Sequence, residues 1–134
     1  MIFVLCIDDK NGLSFNGRRQ SRDRVLIDRL IRMLPDKTIN IKSYSSPLFE
    51  KYIDRVNVSE ELPDKLKNGE VFFSENLDPA PFKDSIEKLI LFKWNRVYPS
   101  DKKMTLELSD FSLINSKDFT GSSHDKITVS EYTR

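Results

Sequence analysis

LILFKWNRVYPSD, Leu89 to Asp101, decides how the rest of the chain is read. Leu89 to Lys93 is a short apolar run rich in strand formers, and its length and β-propensity favour a buried strand over a helix. Before it, Pro81 to Lys88 carries a helical pattern. Phe82, Ile86 and Leu89 share one face, Lys83, Asp84, Glu87 and Lys88 take the other, and Pro81 suits a first-turn position. A helix leading straight into a buried strand is half of a βαβ unit. The strand exit, Trp94, Asn95, Arg96, Tyr98 and Pro99, is polar and aromatic, and such strand ends are where ligands bind in open α/β sheets.

Upstream, Ile2 to Ile7 reads as another continuous apolar strand, closed by Asp8, Asp9 and the turn signal Asn11-Gly12. Leu13 to Gln20 is expected to be an irregular loop, with Gly17 a permissive point. Ser21 suits an N-cap, and Val25, Leu26, Leu30, Ile31 and Leu34 repeat at helical spacing until Pro35 stops the helix. Thr38 to Lys42 alternates as a short strand. A helix starting at Pro47, a strand at Val56 to Val58, a helix over Ser59 to Leu66 and a strand at Val71 to Ser74 follow. After Asp101 the pattern changes. Met104 to Leu108, Phe111 to Ile114 and Ile127 to Tyr132 read as strands with no helix between them, which predicts antiparallel pairing. The expected fold is one α/β domain over residues 1–134, with a mainly parallel central sheet, helices on both faces and an antiparallel C-terminal hairpin.

Composition narrows the function classes. At 38% hydrophobic and 32% charged residues, 134 residues suffice for one packed core rather than a disordered chain. The net charge of +1 gives no global attraction to nucleic acid or membrane. No apolar run approaches the roughly 18 residues of a membrane span. Cys6 is the only cysteine, sits inside an apolar strand, and has no partner for a disulfide, which suits a cytoplasmic protein.

The order of elements resembles dihydrofolate reductase. IFVLCIDDKNGLSFNG is similar to that family's first strand, turn and mobile substrate loop, LILFKWNRVYPSDKKM to its late strand and following loop, and FSLINSKDFTGSSHDKITVSEYTR to its final hairpin. The resemblance spans nearly the whole chain, with a deletion in the middle. It implies a glycine pair or triplet after the strand at Val71 to Ser74, where the family's backbone meets its nicotinamide cofactor. Ser74, Glu75 and Asn76 stand there instead, so side chains and a negative charge replace bare backbone. The family's acid lies in the helix after the mobile loop. Asp23 is the nearest candidate, whereas counting back from Thr38 places Leu26 there. NADPH-dependent reduction is therefore not expected, and no cofactor is assigned. The chain also resembles short bacterial proteins carrying FN-x-RRQS-x-D, WNR-x-YP-x-D and GSSH-x-KIT, some of them named ribonuclease Z. Such enzymes hold two zinc ions with several His and Asp residues, and His124 is the only histidine here, so no metal site is expected.

Three stretches carry candidate chemistry. Arg18, Arg19 and Arg22 lie beside a helix N-terminus and suit an anion such as a phosphate, or else form a solvated basic face paired with Asp23 and Asp28. Trp94, Asn95, Arg96 and Tyr98 suit a planar ring, or else a strand end that covers the core. His124 in GSSHDK suits a general base, while Ser122, Ser123 and Asp125 also suit a hairpin turn. Adjacent strand residues face opposite ways, so Ser123-His124-Asp125 is not a triad by sequence. Asp8 and Asp9 are either a metal or acid pair or turn formers. The leading expectation is a domain binding a small anionic aromatic ligand such as a nucleotide. A metal-independent ribonuclease or nucleotide hydrolase using His124, acting on RNA or nucleotides, is one alternative, and a divergent NADPH-dependent reductase is the other. Nothing in the sequence fixes the oligomeric state.

Overall fold

The computed structural model describes residues 1–134. Its strands are β1 (Ile2–Ile7), β2 (Gly12–Phe15), β3 (Arg18–Arg19), β4 (Ile39–Ile41), β5 (Val56–Val58), β6 (Val71–Ser74), β7 (Lys88–Lys93), β8 (Lys102–Lys103), β9 (Ser112–Phe119) and β10 (Ile127–Thr133), with one α-helix, α1 (Arg24–Met33). Seven strands form the main sheet in the order β5-β4-β6-β1-β7-β10-β9. The first five run parallel and β10 and β9 close one side antiparallel. The expected fold class is what the chain adopts. No helix is long and apolar enough to cross a membrane.

β1 is buried along its whole length because it lies between β6 and β7 with both faces covered, the situation that allows an unbroken apolar strand. Its side chains alternate between two core layers. Ile2, Val4 and Cys6 join Ile90, Phe92 and Phe73 under the buried stripe Leu26, Ile27, Leu30 and Ile31 of α1. Phe3, Leu5 and Ile7 join Leu89, Leu91 and Phe72 on the other face, beneath Leu62, Ile86, Met104, Leu106 and Phe111. That second layer consists of 3₁₀ turns and extended chain rather than α-helix.

The expected helices differ most. Ser43–Arg55 is a 3₁₀ segment kinked at Phe49 and Tyr52, where Phe49 turns inward and packs edge-to-face on Phe73 at 5.2 Å. Ser59 to Leu66 forms turns, since Pro63 lacks an N–H and pushes Leu62 out of the α region. Pro81 to Lys88 shrinks to a 3₁₀ turn over Ala80–Ser85. Glu87 N–H already bonds Met1 C=O at 3.0 Å and Lys88 already pairs with Ile2, so the chain must be extended there. Ser21 does not cap α1. Asp23 does, accepting from Val25 and Leu26 N–H.

The strands beyond Asp101 also differ. Met104 and Leu106 are buried, yet Met104 to Leu108 joins no ladder and only Lys102–Lys103 pairs, with β2. β9 runs on to Phe119, through a region read as loop. It is an exposed edge strand, and polar residues such as Ser116, Lys117 and Asp118 hid it from a hydrophobic pattern. Leu13 to Gln20 is no loop either. β2 and β3 form a hairpin whose central residues, Asn16 and Gly17, both have positive φ (52° and 71°), the requirement of a type I′ turn.

The pairing of Phe73 with Phe49 ties a kinked segment with little regular hydrogen bonding to the sheet. Phe73→Ala is expected to cost about 3–5 kcal/mol, the usual range for deleting a buried Phe. Urea denaturation of the two proteins checks this, and a loss below about 1 kcal/mol would contradict the packing described.

Candidate functional site

The C-terminal ends of β1, β6 and β7 deliver Cys6 with Asp8, Glu75 and Trp94 to one end of the sheet. The β2–β3 hairpin and the N-terminus of α1 arch over them. A cleft of about 320 Å³, its open mouth included, lies between, lined by Cys6, Phe73, Glu75, Trp94, Asp23 and Arg22 among others. A second, outer groove of about 460 Å³ adjoins it through Arg19 and Gln20, and is lined as well by Phe15, Arg18, Tyr98 and Pro99.

Asp23 closes the inner cleft. Oδ1 accepts from Val25, Leu26 and Ser122 N–H at 2.9, 3.1 and 3.0 Å, and Oδ2 accepts from Ser123 N–H at 2.7 Å and the Ser123 hydroxyl at 2.9 Å. Burial alone would raise its carboxyl pKa, but these donors outweigh it and hold the group at about 2. One end of α1 is thus fastened to a turn about a hundred residues away. Gly121 makes the approach possible, since a Cβ there would collide with Asp23 Oδ2.

That turn brings His124 into the interior, where it is 5% exposed. Its ring stacks on Trp94 at 4.6 Å with 25° between planes. Nδ1 lies 2.8 Å from Ser123 Oγ and 3.7 Å from Asp23 Oδ2, and Nε2 lies 2.7 Å from the Tyr98 hydroxyl. The tautomer follows from a proton count. Ser123 has one hydroxyl hydrogen, and Asp23 Oδ2 and the Arg22 carbonyl, at 2.9 and 2.8 Å, both compete for it. We therefore assign the ring proton to Nδ1, facing Ser123, which leaves Nε2 to accept from Tyr98. Burial lowers the His124 pKa, Asp23 works against that, and Arg96 adds to it, so the ring is neutral.

Glu75 is the second buried carboxylate. Arg19 bonds it through Nε at 2.7 Å and its terminal amine at 3.3 Å, Ser45 Oγ donates at 2.8 Å, and the same guanidinium lies over the Tyr44 ring at 4.8 Å. Asp8 clamps the neighbouring loops by accepting from Lys10, Gly12 and Tyr98 N–H and the Gln20 amide, which holds its carboxyl below the usual range and makes it the turn former of its pair. No group of three or more His, Cys, Asp or Glu side chains is placed to hold a metal ion.

The sequence candidates thus gather at one end of the sheet in different states of engagement. Arg18 and Arg22 are exposed, whereas the Arg19 guanidinium is already paired with Glu75. Trp94 is 4% exposed and gives a ring face to His124, so it supports the site from beneath. Asn95, at φ 60°, donates to Lys126 C=O and Thr128 Oγ1 and so ties β7 to β10. Arg96 is exposed. Of the two catalytic candidates, His124 has both ring nitrogens engaged, Nδ1 beside Ser123 Oγ and Nε2 beside the Tyr98 hydroxyl, and Asp23 is held at about 2 by its donors.

No protein-family model matches the sequence, and no curated protein does. Solved structures do. The chain superimposes on dihydrofolate reductase from Enterococcus faecalis, determined with NADP(H) and RAB-propyl, with a TM-score of 0.66 over 100% of this chain and 96% of that one, at 9% identity. The fold is dihydrofolate-reductase-like. The likeness at that identity is one of backbone.

Asp23 and His124 each set a direction for stability against pH. Asp23 is depressed from 3.8 to about 2, so its contribution, about 2 kcal/mol, is present above pH ~4 and is lost as pH falls towards ~2. His124 is lowered from 6.5, so the unfolded chain takes up its proton first and stability falls as pH drops below about 6.5. Urea midpoints are expected to decline from pH 7 to 5 in the wild type and to stay nearly level there in His124→Gln. A wild type more stable at pH 5 than at pH 7 would overturn the assignment of a buried neutral imidazole.

Proposed function

We propose that this chain is a dihydrofolate-reductase-like binding domain for a planar ring bearing an anionic group, such as a nucleotide, and that it does not carry out NADPH-dependent reduction. The observation that carries this reading is the outer groove. Phe15, 44% exposed on the hairpin, and half-buried Tyr98 line it together with Gln20 and exposed Arg18, a combination of aromatic rings and free guanidinium that suits a ring and a phosphate together. Arg22 at the adjoining cleft adds a second exposed cation.

The turn after β6 argues against the reductase alternative. Ser74 Oγ accepts from Asn76 and Leu77 N–H at 3.3 and 3.0 Å, and the Glu75 carboxylate beside it is buried and paired. Backbone donors that would meet an anionic cofactor are taken, and a negative charge lies next to them, so the residues here do not fit a dinucleotide. Asp23 also lacks the chemistry of a proton donor, since its donors hold it at about 2.

Trp94, the only tryptophan, lies beneath the site and reports on it. Titration of adenosine monophosphate against its fluorescence is expected to saturate. Arg18→Ala and Arg22→Ala are each expected to weaken binding about tenfold, the value of one charge-assisted hydrogen bond. Unchanged affinity in both variants, or tight NADPH binding, would overturn the reading.

A further inference from the structure

His124, Ser123 and Asp23 form a chain of polar contacts that reaches the inner cleft at Asp23 and the outer groove at Tyr98. The chain runs from the Tyr98 hydroxyl to His124 Nε2 at 2.7 Å, from His124 Nδ1 to Ser123 Oγ at 2.8 Å, and from Ser123 Oγ to Asp23 Oδ2 at 2.9 Å. Its inner end is a buried carboxylate and its middle a neutral imidazole with the accepting nitrogen turned to the phenol. Tyr98 in turn lines the outer groove. A hydroxyl backed by a base, which is backed by an oriented anion, is the arrangement that makes a weak nucleophile reactive.

We propose that Tyr98 is a nucleophile, with His124 as its base, and that its electrophile is the phosphoanhydride of a bound nucleotide. In the step, the Tyr98 oxygen forms a bond to phosphorus while the bridging P–O bond breaks, and the phenolic proton passes to His124 Nε2. The imidazolium so formed is balanced by Asp23, 3.7 Å from Nδ1, against the opposing charge of Arg96. Arg18 in the groove stabilises charge on the transferring group. The substrate class follows from what the groove lacks. Phe15, Arg18, Arg19, Gln20, Tyr98 and Pro99 include no acid, and His124 lies behind the attacking oxygen, away from an in-line leaving group. The leaving group must depart as an anion without a proton, which a polyphosphate does readily and a sugar alkoxide does not.

The step uses the groove of the nucleotide-binding reading, but the reactivity of Tyr98 depends only on the relay, so two probes separate the two ideas. Aryl sulfonyl fluorides react with an activated phenol by forming an O–S bond, breaking S–F and releasing fluoride, with the proton again passing to His124. Wild type and variants are incubated with a small aryl sulfonyl fluoride and with one bearing adenosine, and the site and rate of labelling are read by mass spectrometry. Both probes are expected to label Tyr98, the adenosine probe at least about tenfold faster. Tyr98→Phe is expected to abolish the label, and His124→Gln to slow it at least about tenfold. Ser123→Ala, which leaves both rings in place, is expected to slow it severalfold and serves if His124→Gln does not fold. Labelling of Tyr98 by both probes at equal rates would support the nucleophile while overturning the nucleotide groove. Label found on other residues, or a rate indifferent to both His124 and Ser123, would overturn the nucleophile.

Discussion

The carboxylate of Asp23 is the constraint on which this end of the molecule depends. It caps α1 and, with the same two oxygens, gathers the backbone of Ser122 and Ser123. A helix from the first quarter of the chain and a turn from the last are thereby held by one side chain. The arrangement requires an anion, because five donors converge on it and a neutral amide could not accept from all of them. It also requires Gly121, whose missing side chain leaves the room. His124 enters the interior as a consequence of this fastening, and Trp94 and Tyr98 then pack against a ring whose position is already set.

Two kinds of space result. The inner cleft is bordered by carboxylates whose partners are all supplied by the protein, Asp23 by backbone and Ser123, Glu75 by Arg19 and Ser45. Most of its roughly 320 Å³ is open mouth, and the enclosed part, about 10 Å³, has room for no more than a water, far below the roughly 300–1,000 Å³ of small-molecule pockets. Entry of a ring there would mean breaking buried ion contacts, which typically costs several kcal/mol. The outer groove carries no such cost. Its Arg18 and Phe15 are exposed, only its Arg19 is already paired, and its walls are the hairpin residues Phe15, Arg18 and Arg19 with Gln20 and the stretch after β7 rather than core.

Much of the fold was legible because strands buried on both faces announce themselves. Ile2 to Ile7, Val71 to Ser74 and Leu89 to Lys93 are apolar without interruption, and their parallel pairing follows from the length of the connections. Segments whose backbone is decided by partners elsewhere were not legible. Lys88 carries a helix-like pattern and is a strand residue because Ile2 pairs with it. β9 carries a loop-like pattern and is a strand because β10 lies beside it. One local signal was available and passed over, the Asn16-Gly17 dipeptide that specifies the β2–β3 hairpin. At the candidate site, the strand exit and GSSHDK, both conspicuous in the sequence, meet at one end of the sheet through Tyr98 and His124. The link from Asp23 to Ser122 and Ser123 has no trace in local sequence, and with it the enclosure of His124 was invisible.

A backbone shared with a reductase at 9% identity separates what a fold supplies from what a site supplies. The shared part is the course of the backbone, which follows from packing rules that many sequences satisfy. Chemistry at the strand ends depends on a few side chains and their free valences. Here the turn after β6 spends its N–H groups on Ser74, the carboxylate at the start of α1 spends its lone pairs on a distant turn, and the only imidazole faces inward. Each of these uses up a group that hydride or acid–base chemistry would need free. What faces the outer groove instead is Tyr98, its hydroxyl bonded to His124 Nε2, and the exposed Arg18, with Arg22 at the adjoining cleft.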